Sequence, residues 1–138
     1  MAWHCPQCGR EFRTRNQWHS CVSYTVEGHF EGKPPELREA FERLVGELRR
    51  LGPVRVDAVK TGINLAGRAH FGGVRVQTDR LRVGFLLGRQ LDDPRILRTE
   101  RLGPALVGHS VAVRSPANVD EQLLGWLAEA YALKGAGG

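Results

Sequence analysis

The sequence predicts an α+β fold in which an antiparallel sheet of about five to six strands carries two helices on one face, preceded by a zinc knuckle. Apolar residues recur at helical spacing at both ends of the main region and alternate with polar residues between them. All three cysteines lie within the first 21 residues. We therefore expect a zinc-finger-like segment over residues 1–23, an α+β domain over 24–134 and a disordered tail over 135–138.

The spacing of cysteine and histidine near the amino terminus is typical of a structural zinc site. Cys5 and Cys8 form a C-x2-C pair, which places two sulfurs on one side of a tetrahedron. His19 and Cys21 form an H-x-C step that can direct two more ligands at the same point. The predicted Zn²⁺ ligands are therefore Cys5, Cys8, His19 and Cys21, and four protein ligands leave no open position for a reacting water.

The fourth ligand and the type of zinc finger have alternatives. His29 is the second candidate for the fourth ligand, and His4 is a third, cramped by the cysteine next to it. The pattern C-x2-C-x3-F resembles the first half of a two-cysteine, two-histidine zinc finger, with Phe12 and Trp18 at its two apolar positions. Cys21 stands where that family has its first histidine, so we do not expect the family's base-reading helix.

Two amphipathic helices are expected, one before the strands and one after them. Lys33-Pro34-Pro35-Glu36 begins the first helix, because proline suits the first helical turn, and Gly52-Pro53 ends it. In the closing helix Asn118 is expected as the N-cap and Glu121 as its capping-box partner. The predicted apolar stripes are Leu37, Phe41, Leu44, Leu48 and Leu51 in the first helix, and Val119, Leu123, Trp126, Leu127 and Ala130 in the second.

The segment between the two helices alternates with the period of a strand. A break at Lys60-Thr61-Gly62 and a hairpin turn at Thr78-Asp79-Arg80 divide it. The parity of the apolar residues switches between Phe71 and Val74, which predicts a bulge at Gly72-Gly73. We expect a sequential meander of strands within residues 54–59, 63–65, 69–77, 81–87, 96–102 and 107–113, with the arginine-rich segment 96–102 at an edge.

Several short strings of sequence carry a resemblance to a known family. They are Asn16-Gln17-Trp18-His19-Ser20-Cys21, His29-Phe30, Gly32-Lys33-Pro34-Pro35, Gly52-Pro53-Val54, Val59-Lys60-Thr61, Asp93-Pro94-Arg95-Ile96, and the ending with Leu123-Leu124, Trp126-Leu127 and Ala130-Tyr131. Together they resemble an uncharacterised bacterial domain-of-unknown-function family, distantly similar to small α+β domains of the YdhG-like and TfoX N-terminal-like type. The resemblance implies a cytoplasmic bacterial protein with an accessory zinc segment, and it implies no established activity.

Charge and hydropathy limit the classes of function. The chain of 138 residues has a formal net charge of +5 and a pI of about 9.6, which favours acidic partners. No apolar run approaches the ~20 residues of a membrane span, and the first residues do not resemble a secretory signal. We expect a cytoplasmic monomer or homodimer with no membrane partner.

We predict a non-enzymatic, zinc-containing binding module. Arginines at the polar positions of the strands would project from the face opposite the helices, where they could bind nucleic acid or an acidic protein surface. The alternative is a protein-interaction or anionic small-ligand site around Lys60-Thr61-Gly62. His70 and His109 are the best catalytic candidates, but roles in the core and at an edge explain them better. The predicted binding residues are Arg55, Arg75, Arg82, Arg114, Lys60 and Thr61.

Overall fold

The computed structural model describes residues 24–135 and, for the backbone, residues 3–4 and 11–12. Strand β1 (Trp3–His4) pairs antiparallel with β2 (Glu11–Phe12), so that Trp3 lies opposite Phe12. The predicted zinc ligands Cys5, Cys8, His19 and Cys21 lie outside the described residues. The zinc knuckle therefore stays a prediction from the sequence.

The main domain is α+β, as the sequence predicts, and its sheet has six antiparallel strands. The helices are α1 (Val26–Phe30), α2 (Pro35–Arg49) and α3 (Glu121–Ala130), with a 3-10 turn at Pro116–Asn118 before α3 and a π-helical turn at Tyr131–Gly135 after it. The strands are β3 (Arg55–Val59), β4 (Gly62–Ala66), β5 (His70–Val76), β6 (Leu81–Leu87), β7 (Arg98–Gly103) and β8 (Leu106–Val113).

The order of the strands across the sheet is β3-β4-β5-β6-β8-β7, which corrects the predicted meander. The first four strands are sequential neighbours, but β8 lies between β6 and β7. Strand β7 is exposed at five of its six positions, whereas β8 buries alternate apolar residues. A charged strand belongs at an edge, where its side chains discourage further strand pairing. The prediction that residues 96–102 form an edge strand is confirmed.

One continuous core lies between the helices and one face of the sheet. Helix α2 contributes its apolar stripe, and α3 contributes Leu123 and Leu127, all within the same cluster as the alternate residues of β6. Trp126 is half-buried, with its ring stacked 5.8 Å from that of Phe85. The predicted burial of Leu51 is wrong, because α2 ends at Arg49 and leaves Leu51 47% exposed.

The predicted N-cap of the closing helix is also wrong. Helix α3 begins two residues later than expected, and the Asp120 carboxylate accepts the backbone N–H of Leu123 at 3.0 Å. Asn118 instead ends the preceding 3-10 turn, where its Oδ1 accepts the N–H of Arg114 at 2.8 Å. Asparagine and aspartate are both good N-caps, so the sequence alone does not decide between them.

The loop between β6 and β7 is held against α3 by charged side chains. Arg95 donates from Nη1 to both carboxylate oxygens of Asp120, at 2.8 and 3.0 Å, and from Nη2 to the carbonyl oxygen of Asn118. Arg89 forms a second, two-point pair with Glu129. In the part of the chain that the structure describes, no helix has the length and apolar character needed to cross a membrane.

Candidate functional site

The two faces of the sheet differ sharply in composition. Along β6 the residues Leu81, Val83, Phe85 and Leu87 are buried toward the helices, while Arg82, Gly84 and Leu86 point to the opposite face. We call that opposite side the outer face. The antiparallel register places residues that are directly paired on the same face, so the outer face can be followed across neighbouring strands.

A cavity of about 530 Å³ lies on the outer face of the central strands. Its middle is a row of directly opposed residues, in which Gly73 of β5 pairs with Gly84 of β6, and Gly84 pairs with Ser110 of β8. Gly108 of β8 lies opposite Leu86 in the next row. We call the groove floored by Gly73, Gly84 and Gly108 the glycine trough.

Two of these glycines are not required by the backbone. A Cβ atom at Gly84 would lie 3.5 Å from the nearest atom, the carbonyl oxygen of His109, and one at Gly108 would lie 3.7 Å from its neighbours. Neither glycine has a positive φ. Gly73 differs, since a Cβ there would lie only 3.2 Å from the carbonyl oxygen of Ile63. Glycine weakens a strand interior, so its presence at positions 84 and 108 opens the trough without serving local geometry.

The charged residues of the cavity wall are mostly cationic. Arg75 and Arg82 are direct cross-strand partners at one end, and Arg98 lies opposite Ser110 on the edge strand. Among the described residues, none of these three arginines forms an ion pair. Glu100 is the one acidic residue in the described lining. The cavity therefore presents an excess of positive charge to a ligand.

Ser110 adds an unmet hydrogen-bonding group to the wall of the cavity. The residue is 8% exposed, and its Oγ is buried with no hydrogen-bond partner among the described residues. A buried hydroxyl without a partner is costly, so such groups are rare in folded proteins. Ser110 therefore places an unsatisfied hydroxyl next to the cavity.

The structure brings together some of the residues predicted to bind and separates others. Thr61 lines the cavity with Arg75 and Arg82, so parts of both predicted sites belong to one surface. Arg55 is engaged by Asp57, with Nε 2.9 Å from the carboxylate. Lys60 and Arg114 are exposed but are not lining residues of the cavity.

Sequence reasoning missed Arg98, Ser110 and the three glycines of the trough. The sequence predicts an edge strand for the segment that holds Arg98, without a functional role, and a bulge at Gly72-Gly73. The irregularity in fact falls one residue earlier, because Leu65 pairs with Gly72 and Ala66 with His70, which leaves Phe71 as the additional residue. A signal was present, since glycine is unfavourable inside a strand that otherwise alternates as clearly as β6.

The two histidines considered for catalysis occupy different environments. His70 is exposed on β5, whereas His109 is 3% exposed on β8 and stacks on Phe85 with centroids 5.5 Å apart. His109 Nε2 accepts the backbone N–H of Leu91 at 3.0 Å, which requires the proton on Nδ1, and Nδ1 has no partner among the described residues. Burial lowers the pKa of His109 below its ordinary value, so the ring is neutral at pH 7.

His29, the second candidate for the fourth zinc ligand, makes a structural contact. Its Nε2 lies 2.7 Å from the carbonyl oxygen of Val59, to which it donates a hydrogen bond that ties α1 to the end of β3. A ligand role would leave only its Nδ1 for a metal. Within residues 24–135 no group of three or more His, Cys, Asp or Glu side chains is placed to hold a metal ion.

Comparison with known proteins places most of the chain in a family. Residues 26–134 match the family described as Domain of unknown function (DUF5655). The chain belongs to this family. Neither a curated protein nor a solved structure matches the chain. All of the cavity residues described above fall inside the DUF5655 domain, which makes the glycine trough part of the domain itself.

Proposed function

We propose that this DUF5655 domain is a non-enzymatic binding module whose ligand is anionic and occupies the glycine trough. The observation that supports it is that an open space and an excess of positive charge occur at the same place on the sheet. Gly84 and Gly108 omit side chains that the backbone would accept, and the space they leave is lined by arginines without ion-pair partners among the described residues. Both features cost stability in the ligand-free protein, so a bound anion explains their presence together.

The dimensions of the cavity favour a small ligand over a polymer. A volume of about 530 Å³ lies within the ~300–1,000 Å³ of small-molecule sites. Proteins that bind single-stranded nucleic acid stack its bases on exposed aromatic rings. The one Phe, Tyr or Trp in the described lining is Phe85, which is 2% exposed and offers no such platform.

Nucleic-acid binding remains a second candidate because of the way the cations are arranged. Arg75 and Arg82 lie side by side on neighbouring strands, and Arg114 follows β8, the strand next to β6. Arginines arranged in this way would neutralise phosphate charges without contacting the bases. The strength of such binding falls steeply with salt. Protein-interaction through the same arginines would show the same salt dependence with an acidic protein surface as partner.

Calorimetric titration with inorganic phosphate and citrate tests the proposal. We expect binding in the wild type, loss of binding in Gly84→Leu, whose side chain would fill the trough, and weakening of about tenfold or more in Arg82→Gln. Arg43→Gln on α2 is the matched control for lost charge, and Gly125→Leu on α3 is the control for an added side chain, since nothing lies within 4 Å of a Cβ there.

Two outcomes would contradict the proposal. One is binding that survives Gly84→Leu in a protein with an unchanged melting profile. The other is the absence of binding to either anion, together with salt-dependent binding of a fluorescent single-stranded oligonucleotide that Arg82→Gln weakens. The second result would establish the nucleic-acid alternative instead.

We also propose that the amino-terminal segment is a structural zinc site in a reducing, cytoplasmic protein. Support comes from the ligand spacing of Cys5, Cys8, His19 and Cys21, and from the pairing of β1 with β2 on either side of the sequence that holds Cys5 and Cys8. Similarity to YdhG-like and TfoX N-terminal-like domains stays a prediction from the sequence strings.

A further inference from the structure

The two ends of the glycine trough have opposite chemical character. At one end Arg75 and Arg82 lie side by side, with Thr61 and Gly62 beside them in the lining. At the other end the methyl groups of Leu86 and Leu102 flank Gly108, each 3.7–3.8 Å from the position of a Cβ on that glycine. Leu102 is 51% exposed, so its side chain is accessible to a ligand in the cavity. The trough therefore runs from a cationic end to an apolar end.

The length of the trough follows from strand geometry. Arg82 and Leu86 are four residues apart on β6, and both face outward, so they are separated by roughly 14 Å along the strand. Gly84 lies between them and leaves the path unobstructed. A ligand that contacts both ends must be elongated and must be slender over the glycines.

We infer that the ligand is an elongated amphipathic anion, namely a free medium-chain carboxylic acid. This inference rests on the proposed function. Its carboxylate lies between Arg75 and Arg82, which can each donate hydrogen bonds to carboxylate oxygens. Its hydrocarbon chain crosses Gly84 and ends against Leu86 and Leu102. Burial of apolar surface at that end supplies affinity that a small hydrophilic anion lacks.

The remaining polar groups of the cavity set the direction of binding. Glu100 lies opposite Gly108 in the same cross-strand row as Leu86, so a carboxylate at the apolar end would meet a like charge. Reversal of the ligand is therefore unfavourable. Ser110 and Arg98 lie in the middle row, where they add polar contacts close to the cationic end.

Binding of decanoate below its micelle concentration, measured by calorimetry on the full chain, tests this inference. We expect decanoate to bind at least about tenfold more tightly than acetate or inorganic phosphate, and decanol to bind no better than acetate. Leu102→Gln should weaken decanoate at least about fivefold and leave phosphate unchanged. Leu51→Gln, a comparably exposed leucine after α2, should change neither.

The outcomes separate this inference from the proposed function. If phosphate binds to the wild type but not to Gly84→Leu, and decanoate binds no better than acetate, the trough binds an anion but the inference of an amphipathic ligand is overturned. If no anion binds, both are overturned. Binding of anionic phospholipid vesicles without binding of monomeric decanoate would overturn the free acid and indicate a membrane surface. Melting curves of each variant confirm that loss of binding is not loss of folding.

Discussion

Arg75 on β5 and Arg82 on β6 are direct cross-strand partners, and neither has an ion-pair partner among the residues that the structure describes. Like charges directly opposite each other destabilise an antiparallel pair. The adjacent outer-face residue of β6 is Gly84, which further weakens the strand. These two features lower the stability of the sheet at the cavity. Binding sites commonly contain destabilising features of this kind.

Arg82→Gln should stabilise the ligand-free protein while it weakens anion binding. Removal of one of two opposed like charges should raise the free energy of unfolding by about 0.2–1 kcal/mol. The gain should shrink as salt is added, because salt screens the repulsion in the wild type. Urea unfolding at low and high ionic strength measures both effects. Arg43→Gln on the exposed side of α2 is the control, and an equal gain in that variant would rule out cross-strand repulsion as the cause.

Stability should fall as the pH is lowered below 6.5, because of His109. Burial is the largest influence on its pKa and lowers it from the ordinary value of 6.5. The charge of Arg89 lowers the pKa further, whereas the backbone of Val107 and the charge of Glu129 raise it. The unfolded chain therefore binds a proton at this ring at a higher pH than the folded chain does. Consequently the folded state loses stability as pH falls through 6.5 and below.

Melting temperatures between pH 8 and pH 5 check this expectation. His109→Gln removes the titrating ring and should flatten the profile, although it also lowers stability at every pH by disturbing the hydrogen bond to Leu91. His70→Gln is the control, because His70 is exposed. A profile that stays equally steep in His109→Gln would assign the pH dependence to another group.

Asp120→Ala should destabilise the protein by about 1 kcal/mol or more, because it removes the N-cap of α3. It also removes the partner of Arg95, whose side chain is only 20% exposed. Asp120→Asn keeps a capping oxygen and should cost less. Chemical unfolding of the two variants separates the cap from the charge, and equal losses would show that the charge on Asp120 is what matters.

The pKa of Asp120 adds a pH dependence at the acid end of the range. Partial burial raises this pKa, but hydrogen bonds from Arg95 and from the N–H of Leu123, with the charge of Arg95, outweigh burial and leave it below the ordinary value of 3.8. The stabilisation is therefore present above pH 3.8 and is lost as the pH falls below it. Asp120→Asn should remove this contribution from the acid unfolding curve.

Cys8→Ser should abolish tight zinc binding and loosen the amino-terminal segment without unfolding residues 24–135. Metal binding supplies folding free energy to segments too short to bury a core. Elemental analysis of the purified protein measures the metal, and His19→Gln and His29→Gln compared with it identify the fourth ligand. Absence of tightly bound zinc in the wild type, with all three thiols reactive, would contradict the predicted site.

Much of the fold was predictable because its signals are local. The alternation from Leu81 to Leu87 and the turn at Thr78-Asp79-Arg80 predicted β6 and its hairpin, and both are confirmed, with the N–H of Gln77 donating to the carbonyl oxygen of Arg80. The errors fall where two local signals compete. Asn118 and Asp120 are both capable N-caps, but the side chain of Asn118 accepts the N–H of Arg114, whereas Asp120 accepts the N–H of Leu123 and pairs with Arg95.

The candidate site was predictable only in fragments. The parity of the strands indicated that Arg75 and Arg82 face away from the helices, and the structure places both on the cavity. Gly73, Gly84 and Gly108 are far apart in the sequence, and only Gly84 stands out, because it lies inside the clear alternation of β6. Ser110 meets Gly84 only because β8 enters the sheet beside β6, a pairing that no local pattern specifies.

Local sequence patterns predict most of the elements and the inward or outward parity of their residues, because spacing along a helix or strand depends only on neighbouring residues. Tertiary structure decided the order β6-β8-β7 and the register between strands, because these depend on which distant surfaces bury each other best. That register aligned three separated glycines and two like charges into one cavity.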